Sequence, residues 1–162
     1  MSQITPYNPP QDPLDVIHED GHIVVVNKPS GLLSVPGKGG HLADCLITRV
    51  QAVFPDALLV HRLERDTSGV IIFGLTPHAQ RNLSMQCEKR STKKTYVARV
   101  QGRVAEKTGT IDLPLIVDWP NRPLQKVCHE TGKPAVTDWR VMNNTQGQTT
   151  STTKPRGSSC HT

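Results

Sequence analysis

The run His61-Arg62-Leu63-Glu64-Arg65-Asp66-Thr67-Ser68-Gly69 leads straight into Val70-Ile71-Ile72-Phe73-Gly74-Leu75. The second half is short, apolar and β-branched, and Gly69 and Pro77 bound it, which predicts a buried strand rather than a helix. The first half brings two carboxylates and two guanidiniums to the mouth of that strand. A carboxylate taken out of water unpaired costs on the order of several kcal/mol, so these charges must be paired, hydrogen-bonded or put to chemical use. On their own the residues fit a loop that pins a strand end as well as they fit a reactive site, because structural ion pairs gather charge in the same way.

Outward from this centre, short strands alternate with one or two helices. Ile23 to Asn27 reads as a buried strand, and Leu42, Leu46, Ile47, Val50 and Phe54 fall at helical spacing over 42–54. Val70 to Thr76 is a second strand, and a helix over 78–90 follows Pro77 with its basic residues turned outward. Thr95 to Gln101 alternates, with Tyr96, Ala98 and Val100 on one face and Val97 and Arg99 on the other, and 135–142 is a last strand. The stretches 29–40 and 113–134 read as long loops rich in Pro and Gly. Fold class from these elements is α+β with a largely antiparallel sheet.

At 162 residues there is room for one domain, expected over 1–142. The remainder, 143–162, is polar and lacks an apolar period, which predicts a disordered tail. The net charge of +5 is uneven. Residues 81–107 hold eight Lys/Arg against two Glu, a balance of +6 that leaves the rest of the chain at −1. A cationic stripe of this kind predicts phosphate contact and salt-sensitive nucleic-acid binding, against the plainer reading of a solvated helix face. Cys45, Cys87, Cys128 and Cys160 are far apart and form no metal-ligand spacing, so reduced thiols and no metal are expected. No apolar run approaches a membrane span, and Met1 to Pro6 lacks a signal peptide's regions, so a cytoplasmic chain with no membrane partner is expected.

The charged run also resembles the HRLDxxTSG motif of the RluA-type family of RNA pseudouridine synthases, matching eight of its nine positions. Upstream, Val24 to Gly37 is similar to that family's strand followed by NKPxGLxxxPG. Downstream, Lys93 to Gly102 is similar to its K-x-Y-x-A-x-V-x-G strand. Asp118-Trp119-Pro120-Asn121-Arg122-Pro123 and Thr131-Gly132-Lys133-Pro134-Ala135 narrow the resemblance to the branch that modifies both large-subunit ribosomal RNA and transfer RNA. The likeness runs from about Tyr7 to about Val141. It implies the pseudouridine synthase fold, a mixed and largely antiparallel sheet with a central cleft, and a uridine-to-pseudouridine isomerase that needs no cofactor. By position it implies Glu64 as the catalytic carboxylate and Tyr96 as the tyrosine that stacks on the base. His61, Arg62, Lys93 and Lys94 are implied as RNA contacts. Asn27, Lys28 and Pro29 are chiefly structural, with Lys28 also a phosphate contact. The implied partner is a stem-loop of ribosomal or transfer RNA, met by a monomer.

Two departures shape the expectation. The family has aspartate where this chain has Glu64, and Asp66, two residues on along a segment taken as extended, stands roughly 6 to 7 Å away. The family's later TGRxHQxRxH motif has no counterpart here, so a C-terminally incomplete domain, from a truncated or frame-shifted reading frame, is expected with impaired turnover. Two rival classes remain: a non-catalytic RNA-binding remnant, and a hydrolase using Ser68 with His61 and Asp66. The hydrolase reading is weak, since GxSxG is absent.

Overall fold

The computed structural model describes residues 6–89, 91–121, 124–145 and 147–156. Where one domain and a tail are expected from sequence, the chain divides into two compact units, one reaching Lys89 and the other starting at Arg90.

In the first unit, strands β1 (Asp15–Glu19), β2 (Ile23–Lys28), β3 (Leu58–Leu59) and β4 (Gly69–Gly74) form an antiparallel sheet in the order β1-β2-β4-β3. The two-residue period of β2 turns Val24, Val26 and Lys28 inward. Across the ladder Val24 faces Phe73 and Val26 faces Ile71, so both strands expected from sequence bury the same side. Helix α1 (Leu46–Val53) closes over them with Leu46 and Val50, four residues apart on one helix face. Leu32 and Ala57 complete the core. Each such aliphatic or aromatic side chain contributes about 1.5–3 kcal/mol on burial.

Helix α2 (Pro77–Glu88) starts where Thr76 accepts the Ala79 N–H at 3.1 Å and Pro77 occupies the first turn. It approaches β4 so closely that a Cβ on Gly74 would lie 2.6 Å from the Gln80 nitrogen, and only glycine fits there. Arg81 and Lys89 are exposed on this helix and its C-cap, as the sequence predicts, while Arg90 lies outside the described residues.

The second unit contains β5 (Tyr96–Gln101), β6 (Thr108–Asp112), β7 (Leu115–Val117), β8 (Gln125–Val127), β9 (Val136–Thr145) and β10 (Gln148–Arg156). A sheet in the order β5-β10-β9-β6 is antiparallel throughout, and β7 and β8 form a separate hairpin. The hairpin occupies part of the stretch expected as a long loop. Arg122 and Pro123 of the motif there lie outside the described residues, as do Met1 to Thr5 and the last six residues of the chain.

The expected disordered tail is corrected by β10, a central strand paired on both sides. The sequence signal failed because the strand is built from threonines, whose branched side chains suit a pleated surface without supplying an apolar period. Its burial is satisfied by hydroxyl chemistry. Thr149 is buried, its Oγ1 accepting the Val104 N–H at 3.0 Å and lying 2.9 Å from Gly102 O and 2.6 Å from Asn144 Oδ1. Pro155 is tolerated because the β5 ladder ends at Thr153, so only β9 faces it.

Candidate active site

The charged run is a tight turn rather than the extended segment expected from sequence. The Thr67 N–H donates to Glu64 O at 3.2 Å, which places Arg65 and Asp66 at its corners. Turns expose their corner carbonyls, and here the loop after β2 captures them. Arg65 O accepts from the Gly31 N–H at 2.9 Å and from Lys28 Nζ at 2.9 Å. Asp66 O accepts from Ser30 Oγ at 2.8 Å. Just before the turn, Ser34 Oγ donates to Leu63 O at 2.6 Å and accepts the Leu63 N–H at 3.1 Å. Gly31 holds φ of +87°, which side-chain-bearing residues rarely adopt, and this lets its amide reach across.

Lys28 corrects one expectation. Its side chain is 0% exposed, and Nζ donates to Pro29 O at 3.0 Å, Leu32 O at 2.6 Å and Arg65 O at 2.9 Å. All three ammonium protons are therefore committed to backbone, so no donor is left for a phosphate. Burial lowers its pKa from the ordinary 10.5, and the nearby carboxylates of Asp66 and Glu64 oppose that shift. The residue is a buried cationic knot tying the loop at 29–32 to the turn, which is the structural half of its expected role.

Glu64 stands exposed on the turn, and among the described residues no hydrogen bond or ion pair holds its carboxylate. Asp66 differs. Its carboxylate takes Arg65 Nε at 2.9 Å and Nη2 at 3.3 Å, which holds it below the ordinary 3.8. Of the two acids, the one in register with the family motif is thus free to meet a ligand, and the other is engaged. Arg62 is exposed beside it. His61 is turned inward: Nε2 accepts the Ile72 N–H at 3.4 Å, continuing the edge of β4 where β3 ends. With His61 given to the sheet and Asp66 to Arg65, the hydrolase relay through Ser68 loses its support.

The structure brings Lys28, His61, Arg62 and Glu64 together in the first unit. Tyr96, Lys93 and Lys94 belong to the second. Tyr96 opens β5, half-buried and paired with Thr153, and Lys93 is exposed just before it. The expected alternation along β5 holds from Tyr96 to Arg99, with Tyr96 and Ala98 half-buried and Val97 and Arg99 exposed, but Val100, expected on the face of Tyr96 and Ala98, is exposed.

Sequence reasoning missed Ser30, Ser34 and Tyr7. Tyr7 donates its hydroxyl to Asp44 O at 2.7 Å and accepts the Leu33 N–H at 3.1 Å, steadying the far side of the same loop. These are single hydroxyls gripping backbone 26 to 37 residues away, and no local pattern announces them.

Residues 22–158 match the family model for RNA pseudouridylate synthase, and the chain belongs to that family. It is similar to the dual-specificity RNA pseudouridine synthase RluA of Escherichia coli O6:H1 strain CFT073, 57% identical over 137 residues that cover 84% of this chain and 63% of that protein. The protein of the same name from Yersinia pestis is 58% identical over 128 residues, covering 79% and 62%. Among solved structures, human RNA pseudouridylate synthase domain containing 1 superposes with a TM-score of 0.74 at 21% identity, covering 98% of this chain and 63% of that one, which shows the shared fold. The chain spans less than two thirds of the length of each of these relatives.

Proposed function

We propose that this chain is an RNA pseudouridine synthase acting on uridines of ribosomal and transfer RNA, with Glu64 as its reactive carboxylate. The reading is supported most directly by one observation: Glu64 stands free on a turn whose flanking backbone is clamped by Lys28, Ser30, Gly31 and Ser34. A fixed backbone carrying an unpaired acid is what attack on a sugar carbon requires.

The N1–C1′ bond of the uridine breaks with its electron pair leaving on the uracil. The carboxylate either bonds to C1′ or removes the neighbouring C2′ proton to give a glycal. The ring then turns and C5 bonds to C1′, as the carboxylate–C1′ bond breaks in the first route or as the carboxyl returns its proton to C2′ in the second. The C5 proton departs and N1 takes up a proton. Substrate and product are isomers, so no co-reactant is consumed. Tyr96 is assigned to stack on the base and take the C5 proton, since a phenol offers both a flat apolar face and a titratable oxygen. Arg62 is assigned to the gap left by the flipped uridine, and Lys93 and Lys94 to phosphate. His61, whose Nε2 takes the Ile72 N–H, is assigned to RNA contact next to Arg62.

Glutamate is one methylene longer than the family's aspartate. A misplacement of about 1 Å costs on the order of 10²-fold in rate, so turnover is slow. The chain works as a monomer, and in the cytoplasm, the latter supported by the thiols of Cys45 and Cys128. Release of tritium from C5-labelled uridine in a transfer RNA stem-loop tests the activity, and salt-sensitive binding with no release would favour a non-catalytic RNA binder instead.

A further inference from the structure

Ser34 lies one hydrogen bond away from the residue that precedes Glu64. It is 3% exposed, and its single hydroxyl engages both backbone groups of Leu63. Its own backbone is fixed from the opposite side by helix α1. Ser34 O accepts the Ile47 N–H at 3.2 Å, and Leu33 O accepts the Leu46 N–H at 2.8 Å. Those amides belong to the first turn of α1 and have no carbonyl within the helix to bond. A helix buried through Leu46 and Val50 therefore holds Ser34, and Ser34 holds Leu63.

Beyond Glu64, the turn is held by the bonds to Arg65 O and Asp66 O and by the Thr67 N–H to Glu64 O. The freedom that remains to the carboxylate is the local rotation of Glu64 itself. We propose that Ser34 is the positioning residue of the Glu64 carboxylate, transmitting the rigidity of α1 to the reactive turn. The proposal rests on the assignment of Glu64 as the reacting group, and it goes beyond it by naming what aims that group.

The test uses the full chain and two readouts. Ser34→Ala leaves the Leu63 N–H and C=O without their partner. Hydrogen exchange at the Leu63 amide rises at least tenfold, while amides of the core residues Val24, Val26 and Ile71 keep their protection. In single-turnover tritium release on a transfer RNA stem-loop, the rate falls about 10- to 100-fold and RNA affinity stays within twofold. Ser34→Thr keeps the hydroxyl and restores Leu63 protection and most of the rate. Unchanged exchange at Leu63 in Ser34→Ala overturns the proposal, as does a loss confined to RNA affinity. If Ser34→Ala loses protection throughout the core, Ser34→Thr decides: Leu63 protected with the rate retained supports the proposal, and Leu63 protected with the rate lost overturns it. A parent chain that releases no tritium would count against the function, while exchange without RNA would still show whether Ser34 holds the turn.

Discussion

Replacing Lys28 by methionine keeps most of the buried stem and removes the ammonium that serves three carbonyls. Hydrogen bonds to a charged group contribute about 1.5–3 kcal/mol each, so the three together are worth roughly 4–9 kcal/mol. Against that stands the burial of a cation at 0% exposure, the same cause that lowers its pKa, and removing the charge returns several kcal/mol. Arg65 O also keeps its bond from the Gly31 N–H, whereas Pro29 O and Leu32 O lose the ammonium. The balance is a destabilisation of about 2–4 kcal/mol. Urea denaturation reads this as a midpoint lowered by roughly 1–2 M, for a slope of about 2 kcal/mol per M. A second assay separates structure from RNA contact. Each phosphate contact adds about 0.9 to the slope of log affinity against log salt on duplex RNA or DNA, so a lysine facing solvent would lower that slope by about one when removed. Lys28→Met leaves it unchanged. An unaltered or raised urea midpoint, or a salt slope reduced by one, refutes the reasoning.

Thr149→Val tests whether β10 is integral to the second unit: it leaves the Val104 N–H without its acceptor in a buried place, and a loss of about 1–3 kcal/mol in chemical denaturation is expected. No change in stability would mean that the threonine-rich strand carries no weight. Cys128 has a thiol lowered from 9.0 to about 7, first by the Thr131 hydroxyl at 3.4 Å and then by the amides of Thr131, Glu130 and Gly132. Alkylation at Cys128 therefore rises with pH to a half-maximum near 7, because the thiolate is the nucleophile, while buried Cys45 and Cys87 react far more slowly. Thr131→Val moves the half-maximum upward, and a profile that does not move would contradict that cause.

The parts of the fold legible in the sequence are those carried by apolar period. Val24 and Val26, Ile71 and Phe73, and Leu46 and Val50 repeat at strand or helix spacing, and each lands in the core. Helix α1 starts later than the apolar pattern suggests because Cys45, at φ −158°, is its extended N-cap. Strand β1 went unseen because all five of its residues are exposed at a sheet edge, and β10 because its buried positions are hydroxyls. The site follows the same division. The acid, the arginine and the tyrosine were named from motif order; the structure puts Glu64 on a turn, Arg62 exposed beside it and Tyr96 at the start of a strand. The buried state of Lys28 and the inward bond of His61 were not readable, since a lysine or histidine in a motif gives no sign of which backbone atoms it will meet. The grips of Ser30 and Ser34 depend on two loops about thirty residues apart closing on each other, which is a property of the fold.

The most direct measurement is the rate of C5-tritium release from a labelled transfer RNA stem-loop by the chain as it stands, by Glu64→Asp and by Glu64→Gln. Slow release that Glu64→Asp accelerates on the order of 10²-fold and Glu64→Gln abolishes is the expected result if, as proposed, the carboxylate does the chemistry and its extra methylene misplaces it. Release that persists in Glu64→Gln, or silence from both the parent chain and Glu64→Asp while RNA is still bound, would contradict it.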